Sequence, residues 1–212
     1  LVAVALVVAH GLWTQGGRSA TAVDPGPGSR TSGPIAVVLD ARKDSSELVV
    51  VDLARGRVAR RVALRSFVSD IALDARSGIV VGAQSGGIGD KADDAVSLTD
   101  QRTGRVRYVG LPYPDPASVV CVAGRAYVQH ALLQAQGLAL SVLDVDAARV
   151  DASGHVPDGP GLWSTISGDV WASVLKADGG WTLARIEPST LASTIVDVDG
   201  FRAFGIAGLR GS

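Results

Sequence analysis

The chain has no methionine and no asparagine, and only one cysteine and three histidines among its 212 residues. Of 20 basic residues only Lys43, Lys91 and Lys176 are lysines. Without asparagine there is no N-glycosylation sequon. The single thiol, Cys121, excludes an internal disulfide and, within these residues, lipid attachment at an N-terminal cysteine. It sits in an apolar stretch and reads as a buried, inert thiol. A formal net charge of −1 gives no electrostatic drive toward nucleic acid or an anionic membrane. Arg57, Arg60 and Arg61 form the densest basic cluster and read as the solvated face of an outer strand. The joint depletion of residues with AT-rich codons fits a GC-rich bacterial genome. His10, His130 and His155 are scattered, so no spacing points to a metal site or a catalytic triad. Helical periodicity is missing too: between 35 and 212 no stretch of about ten residues carries apolar 3.6-residue spacing.

What the chain does have is a phrase that returns. Val49-Val-Val-Asp52-Leu-Ala-Arg-Gly56-Arg-Val58 is repeated as Val96-Ser-Leu-Thr-Asp100-Gln-Arg-Thr-Gly104-Arg-Val106. Weaker copies are Ser141-Val-Leu-Asp144-Val-Asp-Ala-Ala-Arg-Val150 and Leu183-Ala-Arg-Ile-Glu187-Pro-Ser-Thr-Leu191. The acidic anchors step by 48, 44 and 43 residues, a period that marks a repeat architecture. Each copy is a β-branched strand, an acid that caps a turn, and a second, alternating strand. Asp52, Asp100 and Asp144 are therefore turn-capping carboxylates and not a catalytic set.

A second phrase lies between these hairpins. Asp70-Ile-Ala-Leu-Asp74-Ala-Arg-Ser-Gly78-Ile-Val-Val-Gly82 has counterparts at 118–128 and 162–171, and Phe204-Gly-Ile-Ala-Gly208-Leu209 begins another. Together the phrases give four short strands per period, which predicts an all-β fold of four-stranded antiparallel blades, a β-propeller of about four blades as a partial or minimal ring. The alternation of "V-x-D-x-x-x-G-x-V" with "I-A-x-D-x-x-x-G-x-V-x-V" resembles the YVTN-type, surface-layer-related β-propeller repeat over about 35–209. The tetrapeptide itself is replaced by Ile79-Val-Val-Gly82, Ala126-Tyr-Val-Gln129 and Val170-Trp-Ala-Ser173. No Gly-His…Trp-Asp pairing of the WD type is present.

The same pattern divides the chain. Residues 1–13, which begin Leu1-Val-Ala-Val-Ala-Leu-Val-Val-Ala9, are expected to be the remnant of a signal peptide or membrane anchor; the run is too short to span a bilayer. Residues 14–34 are a Pro/Gly-rich linker that reads as a tether. Repeats fill 35–212, divided as 35–66, 67–115, 116–160 and 161–202. The last piece, 203–212, either starts a further blade or closes the first one, which has only three strands; a piece of a larger propeller is the favoured expectation.

Two places stand out as candidate sites. The loop 84–94 is the longest insertion within a blade, and Gly86, Gly87, Asp90, Asp93 and Asp94 make it the first choice for a binding loop. Its acids lack the alternation of a calcium loop, and no helix comes after its glycines, so neither a metal nor a dinucleotide is expected. Trp163, Trp171 and Trp181 gather in the last blade, as packing between blades or as an aromatic surface for a sugar or peptide. No catalytic residue and no cofactor is expected.

The resemblance implies a non-enzymatic scaffold outside a bacterial cytoplasm, secreted or membrane-anchored. It would bind a protein, small molecule or glycan on one propeller face or in the channel. Two alternatives stay open: the ectodomain of a membrane-anchored sensor, and a propeller enzyme of the quinone-dependent dehydrogenase, lyase or lactonase kind with its site in further blades.

Overall fold

The computed structural model describes residues 35–42, 45–84, 94–130, 138–156, 162–164, 169–175, 181–187 and 189–196. The expectations about 1–34, about 203–212 and about Gly86, Gly87, Asp90 and Asp93 fall outside these residues. Among the described residues every regular element is a strand. The first sheet holds β1 (Ile35–Arg42), β2 (Ser45–Asp52) and β3 (Arg57–Leu64). The second holds β4 (Val68–Asp74), β5 (Ile79–Gln84), β6 (Ala95–Asp100) and β7 (Val106–Gly110). The third holds β8 (Pro116–Val122), β9 (Arg125–His130), β10 (Leu138–Asp144) and β11 (Arg149–Val156). The fourth holds β12 (Leu162–Ser164), β13 (Val170–Leu175), β14 (Trp181–Ile186) and β15 (Ser193–Val196). All are antiparallel meanders. The all-β propeller expectation is thus met by three four-stranded sheets and one of three strands.

The turn acids act as the sequence predicted. Asp52 Oδ1 accepts from the Arg55 amide at 3.1 Å, Asp100 Oδ1 from those of Arg102 and Thr103 at 2.8 and 3.2 Å, and Asp144 Oδ1 from Ala147 at 2.8 Å. Asp74 does the same for Ser77 at 3.2 Å. Four residues after each acid the chain enters the left-handed region: φ is +61° at Gly56, +74° at Gly78 and +74° at Gly104. The decayed copies keep the conformation without the glycine, with φ +54° at Ala148 and +59° at Leu191. A side chain there costs about 1–2 kcal/mol, against the larger unfolded-state entropy of glycine, about 0.5–1 kcal/mol. Ala148→Gly is therefore expected to stabilise the protein by about 0.5 kcal/mol, raising Tm by about 1–2 °C in a thermal melt. Ala148 gives up only a methyl group beside the core between the second and third sheets, whereas the same change at Leu191 gains nothing, because a whole leucine side chain packs beside the core between the third and fourth.

Sheets stack face to face through three apolar clusters. Val37, Leu48, Val50, Val62 and Leu64 of the first sheet meet Val68, Ile71 and Val80 of the second. Val81, Ala83, Val96 and Leu98 meet Val119, Ala126, Val128 and Leu143 of the third. Tyr127, Leu140 and Val142 then meet Val170, Ala172 and Ile186 of the fourth. Among the described residues no such cluster joins the fourth sheet back to the first.

Polar clamps reinforce the first two of these interfaces. Arg60 reaches across from β3 and donates to the carbonyl oxygens of Thr103 and Arg102, at 3.1 and 3.0 Å. This corrects the reading of Arg60 as merely solvated: its stem and head tie an outer strand to the next sheet's turn, whereas Arg57 and Arg61 are exposed. Arg107 repeats the device from β7, donating to the carbonyl oxygens of Val145 and Asp146 at 3.3 and 3.5 Å. The matching position in the third sheet is Ala152, which has nothing to reach with. Nearer the centre, Asp70 on β4 accepts from Ser118 Oγ at 3.0 Å and from the Val119 amide at 2.9 Å. Burial nonetheless pushes the Asp70 carboxyl above the usual range, because desolvation outweighs these bonds.

Candidate binding face

A meander of this kind sends its connections to two ends, and the two ends differ. At one end lie the tight turns at 53–56, 75–78, 101–105, 145–148 and 187–192, held by their own acids. The two-residue turn Ala123-Gly124, with φ of +50° and +83°, joins them as a hairpin of the primed type. At the other end lie the strand ends Arg42 and Ser45, Gln84 and Ala95, His130 and Leu138, and Leu175 and Trp181, and the sheet-to-sheet connectors 65–67 and 111–115. Tight turns spend their polar groups on themselves, so any adaptable chemistry belongs to the loop end.

Among the described residues of the loop end, a hydrogen-bonded group is centred on His130. Register places Pro116, His130, Ala139 and His155 in one row across β8, β9, β10 and β11. The connector 111–115 folds over that row, with Leu111 donating its amide to the Asp94 carbonyl at 2.7 Å. Tyr113 lies between the two histidines: its ring is 5.6 Å from that of His130, edge-on, and 5.4 Å from that of His155. His130 Nδ1 is 2.9 Å from the Pro114 carbonyl oxygen, and Nε2 is 2.8 Å from Ser141 Oγ. A carbonyl only accepts, so Nδ1 carries the proton, and Nε2 accepts from the Ser141 hydroxyl. Burial pushes the imidazole below its ordinary value of 6.5, which keeps this neutral tautomer.

A serine hydroxyl on a histidine nitrogen has the spacing of a nucleophile and its base. Here His130 and Ser141 are both 0% exposed, with Tyr113 packed on the imidazole, so a substrate carbonyl cannot approach Oγ. The pair is a buried strut that fixes the connector. Tyr113, half-buried, and His155, exposed, are what this end presents to solvent. Single-sequence reading passed over the group: His130 closes an apolar strand, Ser141 opens a repeat phrase, and no local signal brings them together.

The residues singled out from the sequence fall in separate places. Asp94 is exposed at the loop end, and Gln84, which opens the 84–94 insertion, is buried at the position in the second sheet that His130 holds in the third. Trp163 pairs in register with Trp171, and Trp171 with Arg185; Trp181 pairs with Leu175. Trp181 opens β14, at the same end of the fourth sheet as the close of β13 at Leu175. Trp171 itself is half-buried, and its indole Nε1 is buried with no partner among the described residues. Cys121 is free and half-buried; desolvation, then the charges of Asp74 and Asp70, push its thiol up, so the expected inertness has a cause. Among the described residues no group of three or more His, Cys, Asp or Glu side chains is placed to hold a metal ion.

No family model matches the chain, and no curated protein does. Solved structures do. Kuenenia stuttgartiensis hydrazine synthase is similar with a TM-score of 0.56 and 14% identity, over 82% of this chain and 53% of that one. The WD40 domain of Toxoplasma gondii coronin is similar at 0.55 and 11%, over 74% and 41%. A chain of a nidogen/laminin complex is similar at 0.51 and 11%, over 76% and 61%. At these identities the likeness shows the fold, a β-propeller, and nothing of activity. The chain spans roughly half the length of the solved chains it matches.

Proposed function

We propose that this protein is a non-enzymatic, extracytoplasmic scaffold that binds a protein partner on the loop end of its sheets. The observation that carries the reading is the asymmetry of the two ends. One is closed by self-satisfied acidic turns, while the other carries the connectors, the Tyr113–His155 surface and the anchors of the 84–94 insertion. Tyrosine and histidine rings on a rigid support offer apolar area with polar edges, the chemistry favoured at protein interfaces. Propellers in general serve as binding scaffolds, and the repeat pattern supports the YVTN subtype. The apolar run at 1–9 and the tether at 14–34 support placement outside a bacterial cytoplasm, by secretion or anchoring. They fit a sensor ectodomain equally well, and such a sensor would present the same face.

The test places a photo-crosslinking amino acid at Tyr113 or His155, and separately at Ala54 or Ala147 on the turn end, in the native host. Crosslinks to an envelope or secreted protein from the loop-end sites alone support the proposal. Crosslinks from the turn end alone, or only to cytoplasmic proteins, overturn it.

A further inference from the structure

We propose that the interface between the first and second sheets binds water within it, a short chain of molecules that bridges the Gln84 amide and the Ser97 and Thr99 hydroxyls.

Four polar atoms of these residues are buried with no hydrogen-bond partner among the described residues: Gln84 Oε1 and Nε2, Ser97 Oγ and Thr99 Oγ1. Register puts the three side chains on one face. Val80 pairs with Thr99 and Gly82 with Ser97, Gln84 is the next residue in that alternation, and Val80 packs into the core shared with the first sheet. Exposure is 0% at Gln84 and Ser97 and 1% at Thr99, so bulk solvent does not reach them. An amide or hydroxyl sealed without a bond is costly, and a buried water with two to four polar partners relieves that cost.

The third sheet satisfies the same positions from within. His130 and Ser141 stand where the second sheet has Gln84 and Ser97, and they bond each other directly at 2.8 Å. Val128 holds the place of Gly82 there. Over the glycine the Ser97 hydroxyl leans inward instead: a Cβ at Gly82 would stand 2.6 Å from Ser97 Oγ and 3.3 Å from Val68 Cγ1. In the first and fourth sheets Val49 and Ala184 replace the serine, so no hydroxyl is buried at that position.

Chemistry selects the ligand. The Gln84 amide offers both donors and an acceptor, and each hydroxyl can act as either. Water answers both roles. A metal cation would find no carboxylate in the row and would be repelled by the Gln84 Nε2 donors. An organic molecule would need an opening that the burial of all three side chains denies. Spacing calls for a chain of molecules: Ser97 and Thr99 are two residues apart on one strand, about 7 Å, and one water with two bonds of about 2.8 Å spans less.

Two measurements on the 212-residue chain test the assignment. A high-resolution crystal structure should show ordered water within hydrogen-bond distance of Gln84 and Ser97. Thr99→Val keeps the shape and removes the hydroxyl, leaving a water short of a partner, and should lower Tm by about 2–4 °C in a thermal melt. A dry, unpartnered hydroxyl predicts the opposite sign, because its removal would also remove its burial cost. An interface without water density, a direct bond between Gln84 and Ser97 in its place, or a Tm that stays level or rises in Thr99→Val overturns the proposal. These readouts involve no binding partner, so they stand or fall apart from the proposed function.

Discussion

Tyr127→Ala should lower the stability of the protein by about 3–5 kcal/mol, the range for removing a fully buried aromatic side chain. The expectation rests on how unevenly the interfaces are built. The first and second sheets share an apolar cluster plus Arg60, and the second and third share one plus Arg107 and the Asp70–Ser118 bond. Between the third and fourth sheets the arginine position is Ala152, and Tyr127 is the largest side chain in the cluster that remains. Each sheet packs mainly on its neighbours, so the damage should stay local in the manner of a linear repeat array. Hydrogen exchange should show β12–β15 losing protection while β4–β7 keep theirs. Uniform loss in all four sheets would show instead that the array unfolds as one unit.

Replacing His130 by alanine is expected to cost about 3–4 kcal/mol, from the cavity, from the Ser141 hydroxyl left buried without its partner and from the lost bond to the Pro114 carbonyl. Chemical denaturation at pH 7.5 measures it. His130→Gln should recover part of the loss, since an amide keeps a donor and an acceptor in the slot. The wild-type protein should also carry a pH signature. Burial depresses the folded imidazole below its ordinary value of 6.5, so the unfolded chain binds the proton more readily. The stability that His130 contributes is therefore complete above about pH 6.5 and is lost as pH falls through the lower folded value. Asp94 and Asp115, whose charges favour the imidazolium, soften this loss without reversing it. In His130→Gln this component of the acid-side decline should be absent. The turn acids Asp52, Asp100 and Asp144 decline later: their carboxyls are held below the ordinary value of 3.8, so their contribution persists until more acid pH.

Much of the fold was legible because the repeat is made of local decisions. An acid that caps its own turn and a chain reversal four residues on are settled within five residues, so Asp52, Asp100 and Asp144 announced the hairpins directly. β-Branched runs between them fixed the strands. Even the decayed turns at Ala148 and Leu191 kept their backbone geometry, since the flanking strands hold a conformation that the local residue disfavours. The choice of loop 84–94 rested on length, which is legible, but its geometry lies outside the described residues save for Gln84 and Asp94.

The sequence by itself determined the period, the strand pattern and the identity of the turn acids, because each depends on contacts within a few residues. Only the tertiary structure decided that Arg60 is a clamp, that Asp70 meets Ser118, and that His130 meets Ser141 beneath Tyr113. Those partners stand 11 to 48 residues apart or depend on which side of a strand faces which sheet. A shift of one residue in register reverses every such face, and the register is set by the packing of whole sheets.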